Sequence, residues 1–248
     1  MSEYNVGDLV AEFLHCLGVE DVFGVVSVHN IPMLDAIGRR NYIKMIPARG
    51  EMGAGHMADG YARAHNGLGV VFTSTGPGAA NIAGAIVEAR FSGSAVLHFT
   101  GQTATENLDN PEDVLSKLLD AVKISLTPPK GPVSIEIPID IQRTVVTKPK
   151  NLEQIKIPSI DLKLGEESSL DEIETIIKNS KRKMLWVGNG CKFAREEVKK
   201  FINMGFAVVT STLGRGVISE NNHMSLGAFN AVSLIEEFYK TVDLMIVA

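Results

Sequence analysis

Residues 43–63 read Ile43-Lys44-Met45-Ile46-Pro47-Ala48-Arg49-Gly50-Glu51-Met52-Gly53-Ala54-Gly55-His56-Met57-Ala58-Asp59-Gly60-Tyr61-Ala62-Arg63. The apolar run Ile43 to Ile46 predicts a strand, and the small-residue stretch from Glu51 to Ala64 predicts a helix. Glu51 therefore stands where a strand gives way to a helix, at the carboxyl edge of a sheet. Open α/β sheets bind their ligands at that edge. A carboxylate there can share one proton with a ring nitrogen of a bound cofactor. An acidic residue in a first helical turn commonly does no more than complement the helix dipole, worth about 0.3–1 kcal/mol. The neighbours of Glu51 argue for more. Each glycine inside a helix costs about 1 kcal/mol relative to alanine. Gly53, Gly55 and Gly60, with Ala54, Ala58 and Ala62, leave room for another backbone or a ligand to approach closely.

The same alternation extends outward on both sides. Val6, Leu9, Val10, Phe13, Leu14 and Leu17 recur at helical spacing, and Gly18 ends that helix. Val22 to Val26 is a short buried strand. A helix runs from Ile31 to Arg39, with Asn30 as its N-cap and Pro32 in its first turn. Strands follow at Val70–Thr73, Ala95–Thr100 and Val133–Ile137, with helices at about 79–90 and 111–126. Near-continuous apolar strands alternating with helices predict an α/β fold, a doubly wound parallel sheet covered on both faces. The polar stretch 148–168, carrying Pro149 and Pro158, reads as a linker between a first domain, 1–147, and a second Rossmann-like α/β unit, 169–248. In that unit a helix to Asn179, strands Met184–Val187 and Phe206–Thr210, and a helix from about Ala194 to Met204 are expected. The closing Leu244-Met245-Ile246-Val247-Ala248 reads as a buried strand, so this second unit is expected to be incomplete.

Composition narrows the function classes. The chain has 248 residues, 45% of them hydrophobic, and 29 acidic against 24 basic residues give a net charge of −5. Without a basic cluster, nucleic acid is not expected as a partner. No apolar run approaches the roughly 20 residues that span a bilayer, so no membrane partner is expected. The first residues lack a signal peptide, and the expected location is cytoplasmic. Cys16 and Cys191 are far apart and lack metal-ligand spacing. Both read as small buried hydrophobes.

Beyond Glu51, three features bear on chemistry. Gly76-Pro77-Gly78 follows a strand and opens a helix, exposing backbone N–H groups at a positive dipole end. A tight strand-to-helix turn needs glycine in any case, and Pro77 removes one donor, which argues against a phosphate cradle. Gly188-Asn189-Gly190 departs from the dinucleotide fingerprint, which wants a third glycine where Phe193 stands. Among the histidines, His98 lies within a strand and reads as a satisfied core residue. His29, in the loop after the first strand, is the pocket candidate.

Taken together, four stretches resemble the N-terminal, pyrimidine-binding domain of thiamine diphosphate-dependent enzymes of the acetolactate synthase type. They are Glu51 with Gly53 to Arg63, Thr73 to Asn81, Gly101-Gln102, and Thr127 to Val133 with Ile137-Pro138-Ile139-Asp140. Trp186-Val187-Gly188 and Gly214-Arg215-Gly216-Val217 resemble the family's central domain. The resemblance implies that Glu51 hydrogen-bonds the aminopyrimidine N1′ and so activates the cofactor. It implies that Gly76, Pro77 and Asn81 shape the pyrimidine side, together with Val25 and Val26. His29 and Gln102 then fall in the substrate region. The implied substrate is a small 2-keto acid, the implied assembly a homodimer or homotetramer, and FAD a candidate structural group in the central domain.

Three departures from the family pattern qualify what is carried over. Many relatives carry Pro-Gly where Val26-Ser27 stand, in a loop that flanks the substrate. The connection from Gln102 to Pro111 is short. No Gly-Asp-Gly segment followed by Asn appears after residue 169, so the Mg²⁺ ligands and the diphosphate site are expected from a domain not in this chain. The competing expectations are an aromatic 2-keto acid decarboxylase, or a non-catalytic subunit or scaffold of the same fold. Glyoxylate carboligase fits less well, because that relative lacks the activating glutamate.

Overall fold

The computed structural model describes residues 3–103, 111–160, 167–229 and 233–248. The chain divides into two compact units, Met1–Asp161 and Leu162–Ala248. The first begins with helix α1 (Val6–Cys16), strand β1 (Asp21–Gly24), α2 (Ile31–Arg40), β2 (Lys44–Pro47), α3 (Glu51–His65) and β3 (Gly69–Thr73). It continues with α4 (Pro77–Asn81), α5 (Ala83–Phe91), β4 (Val96–Gln102), α6 (Val114–Leu126), β5 (Pro132–Pro138) and α7 (Ile139–Arg143).

The strands pair in the order β2-β1-β3-β4-β5, and every pairing is parallel. The chain winds outward from β1 to β2, returns to β3, and then proceeds the other way. The reversal between β1 and β3 is the topological switch point, where the loops at the carboxyl edge part to leave a crevice.

Alternation along the strands sorts side chains onto two faces. Val70, Phe72, Leu97 and Phe99 enter a core with α1, α2 and α6, where the Phe72 and Phe99 rings stack at 5.0 Å. Val71 and Val96 point the other way, against Ala54, Ala58, Ala62, Ala85 and Ala89 of α3 and α5. Two faces covered by helices explain why the strands carry hydrophobic runs rather than alternating polarity.

The second unit contains α8 (Glu167–Asn179), β6 (Lys183–Val187), α9 (Arg195–Asn203), β7 (Phe206–Thr210), β8 (Ser225–Ala228), α10 (Ser233–Tyr239) and β9 (Leu244–Val247). Its parallel sheet runs β8-β7-β6-β9.

Three expectations need correction. The helix expected over 79–90 is two helices, α4 and α5, meeting at Ile82. The stretch expected to link the domains is ordered at its start: Leu152 is 1% exposed within the first unit's core, and Lys148 pairs with Glu12 at 3.0 Å. β8 and α10 lie where no element was expected. The rest of the expected linker, 161–166, and most of the short Gln102–Pro111 connection lie outside the described residues. Among the described residues no helix is long and apolar enough to cross a membrane.

Candidate active site

Beside Glu51, three loops at the carboxyl edge of the first sheet carry the expected site residues. Glu51 opens α3 and is half-buried. β2 ends at Pro47, and Ala48 N–H donates to Gly24 C=O at 2.8 Å, which ties the approach to Glu51 to the end of β1.

The β3–α4 turn comes to meet it. Gly76 has φ +52° and ψ −111°, a conformation that a side chain disfavours. The turn lets Pro77 begin α4 with its fixed φ. It also brings Gly78 so near that a Cβ there would lie 2.8 Å from Glu51 Oε1 and 2.7 Å from Ser74 Cβ. At the other end of α4, Asn81 Nδ2 approaches Glu51 Oε2 at 3.5 Å, the outer limit of a hydrogen bond. Glu51, Gly78 and Asn81 therefore form one group, with Gly76 and Pro77 in the turn that makes it. Gly78 joins the expected site residues here, and the sequence marks it only as the last residue of the Gly76-Pro77-Gly78 turn.

This arrangement fits the pyrimidine side of thiamine diphosphate. The carboxylate has one long side-chain partner among the described residues and keeps capacity for a ring N–H. A residue larger than glycine at position 78 would fill the cradle beside it.

The second loop follows β1. Val25 is half-buried and its N–H donates to Phe72 C=O at 3.1 Å, while Val26 is 60% exposed. His29 is half-buried. Asn30 occupies the N-cap position of α2, but its side chain makes no capping bond. It turns back instead and binds the ends of β1 and β3. This corrects the expected cap: a fully buried amide gains more from two strand-end carbonyls than from a helix end.

The third loop leaves β4. Gln102 Oε1 accepts from Thr75 Oγ1 at 3.1 Å, and Gln102 Nε2 donates to Glu136 Oε1. Gln102 is thus tied to the turn that carries Gly76.

His98 behaves as a core residue. Its ring nitrogens meet Thr73 Oγ1 at 2.8 Å and Ser134 Oγ at 2.9 Å, and burial pushes its pKa down to about 4. Burial raises the pKa of both the Cys16 and Cys191 thiols, which disfavours the thiolate either would need as a nucleophile. Among the described residues, no group of three or more His, Cys, Asp or Glu side chains is arranged to hold a metal ion.

In the second unit, β6 runs into Gly188, and Gly188 N–H donates to Ala248 C=O at 2.6 Å beyond β9. The sheet order puts this glycine turn at the second unit's own switch point, between β6 and β9.

Comparison with known proteins agrees with this geometry. Residues 4–124 match the family described as thiamine pyrophosphate enzyme, N-terminal TPP binding domain. The acetolactate synthase large subunit of Lactococcus lactis is 30% identical over 255 residues, covering 88% of this chain and 43% of that protein. The acetolactate synthase isozyme 1 large subunit of Escherichia coli is 27% identical over 274 residues, covering 98% of this chain and 48% of that protein. The chain thus spans less than half the length of these relatives. The solved thiamine diphosphate-dependent 4-hydroxybenzoylformate decarboxylase of Rhodococcus jostii RHA1 superposes with a TM-score of 0.86. That match is 20% identical and covers 98% of this chain and 51% of that one, a likeness of fold. Residues 4–124, with Glu51 and the Gly76-Pro77-Gly78 turn inside them, are thus an N-terminal TPP binding domain of the thiamine pyrophosphate enzyme family.

Proposed function

We propose that this chain supplies the pyrimidine half of a thiamine diphosphate-dependent site that decarboxylates 2-keto acids of the pyruvate type. The retained carbon fragment passes to an acceptor, as in acetolactate synthase. The observation that carries this reading is the half-buried Glu51 carboxylate beside the glycine cradle at Gly78. When bound, the cofactor supplies a thiazolium that stores the electrons released on decarboxylation. Glu51 shares a proton with the aminopyrimidine ring. Asn81 donates to the other carboxylate oxygen and keeps the group turned toward the cradle. Gly76 and Pro77 hold the turn open, and Val25 and Val26 supply apolar surface along the crevice. His29 and Gln102 offer polar atoms toward the 2-keto acid. Mg²⁺ and the diphosphate belong to a further domain, and the complete site to a homodimer or homotetramer.

An aromatic 2-keto acid decarboxylase is the second reading. The loop after β1 favours it, with Val26 and Val28 60% and 63% exposed at the substrate side. The Rhodococcus neighbour points the same way.

The test follows carbon dioxide release by the native protein with thiamine diphosphate and Mg²⁺, from pyruvate and separately from benzoylformate. Release is expected from pyruvate, and Glu51→Gln is expected to lower it at least tenfold, about 1.4 kcal/mol of barrier. Faster release from benzoylformate would select the aromatic reading. Full activity in Glu51→Gln would remove Glu51 from the mechanism. Neither release nor cofactor binding would leave a scaffold of the same fold.

A further inference from the structure

The loop between β1 and α2 is held by two fully buried amides, Asn30 within it and Gln142 outside it. Asn30 Oδ1 accepts from Ser27 N–H at 2.9 Å, and its Nδ2 donates to Val25 C=O and Thr73 C=O, both at 3.0 Å. Gln142, on α7, is its counterpart at the other end of the loop. Its Nε2 donates to His29 C=O and to Ile137 C=O, both at 2.7 Å. Strand β4 closes the remaining side, since a Cβ on Gly101 would lie only 1.8 Å from His29 O. The His29 peptide is therefore wedged between the backbone of β4 and the Gln142 amide. Bonds within the loop, Asn30 N–H to Ser27 C=O and His29 N–H to Ser27 Oγ, shape the turn. The two amides fix where that turn sits on the sheet.

Both protons of Gln142 Nε2 are used, one on each carbonyl. A glutamate carboxylate of the same shape has no donor for either. His29 Nδ1 is buried without a hydrogen-bond partner among the described residues. Nδ1 is thus closed to a ligand, and any ligand contact from the ring falls to Nε2.

We propose that Gln142 is a positioning residue: by pinning the His29 carbonyl to the end of β5, it presents His29 Nε2 to the carboxylate or carbonyl oxygen of a bound 2-keto acid. This rests on the function proposed above. Gln142 touches neither cofactor nor substrate and acts through His29.

Three measurements test it. In the wild type, the Gln142 carboxamide protons should exchange with solvent at least tenfold more slowly than those of exposed Gln154, followed by NMR. Equal rates would overturn the clamp, whatever any variant does. In Gln142→Met and Gln142→Glu, deuterium uptake at 25–30 should rise at least threefold, and unchanged uptake would overturn it. With pyruvate as the probe, these variants should raise KM tenfold or more. Changes in kcat and in the thiamine diphosphate Kd should stay under threefold, and His29→Ala should cause the same shift in KM without adding to it in the double variant. Equal losses in kcat and cofactor affinity would make Gln142 merely structural and end the proposal. If the wild type turns over no pyruvate, the reading of function fails, while the exchange measurements still decide the clamp.

Discussion

His98 shows how one residue links the core to the edge that carries the site. Its ring bridges Thr73, at the end of β3, and Ser134 of β5 across β4. Burial lowers its pKa from the ordinary 6.5 to about 4, because the charged imidazolium is poorly solvated there. Between those two values the unfolded chain binds a proton that the folded chain refuses. Stability therefore falls as pH drops below about 6.5, by about 1.4 kcal/mol per unit, and the loss levels off near pH 4. At pH 5 this amounts to about 2 kcal/mol. His98→Gln removes the titrating group and keeps polar atoms for its neighbours. Urea unfolding at pH 7 and pH 5 should show the wild type losing about 2 kcal/mol more than the variant on acidification. The same loss in both would assign the acid sensitivity to other groups. The core role of His98 was legible from its place in an apolar strand. Asn30 and Gln142 were not legible in this way. The bond from Gln142 to His29 joins residues 113 apart, and such a contact leaves no local pattern to read.

At the scale of elements, the small-residue stretch of α3 has two explanations, and the structure divides it between them. Gly55 faces α5: a Cβ there would lie 2.6 Å from Ala85 Cβ and 2.8 Å from Ile82 Cγ1. Gly53 meets nothing within 4 Å. Gly55→Ala must push the helices apart, and overpacking of this kind typically costs about 1–3 kcal/mol. Gly53→Ala meets no such obstacle and should gain up to about 1 kcal/mol of helix propensity. Chemical denaturation of the two variants should shift the midpoint in opposite directions. Matching shifts would mean that the contact between α3 and α5 is softer than its geometry indicates. The sequence indicated close approach along α3 but not which glycine receives it, because that depends on how α5 crosses. The strands of the first sheet were plain because each is a compact apolar run. β8, Ser225-Leu226-Gly227-Ala228, has no such run. It is an edge strand, paired among the described residues only with β7, and its backbone ladder rather than its side chains defines it. The break between α4 and α5 was hidden for a related reason. Ile82 keeps right-handed helical angles, φ −80° and ψ −11°, so composition hardly marks the junction.

At the scale of the whole molecule, the question is where the first folding unit ends. A boundary at residue 147 follows composition, since the next twenty residues are polar and contain prolines. The packing places it later. After α7, a short 3-10 turn at Leu152–Gln154 carries Leu152 into the same core as Leu9, Phe13 and Leu14, with Ile155 and Ile160 partly buried against it. Lys148 meanwhile reaches Glu12 on α1. A single leucine in a polar stretch gives no periodic signal, yet truncating a buried leucine to alanine typically costs 2–5 kcal/mol, on the order of a small domain's whole margin. The first unit has its own buried core and a five-stranded parallel sheet. Residues 1–160 should therefore unfold cooperatively in urea as an isolated fragment. Residues 1–147, ending where composition changes, should be less stable by at least about 2 kcal/mol. Leu152→Ala in the longer fragment should reproduce most of that difference, because the ion pair at Lys148 is half-exposed and contributes about 0–1 kcal/mol. Equal midpoints for the two fragments would make 148–160 a passive tether after all. A large gap that Leu152→Ala does not reproduce would shift the weight to Ile155 and Ile160.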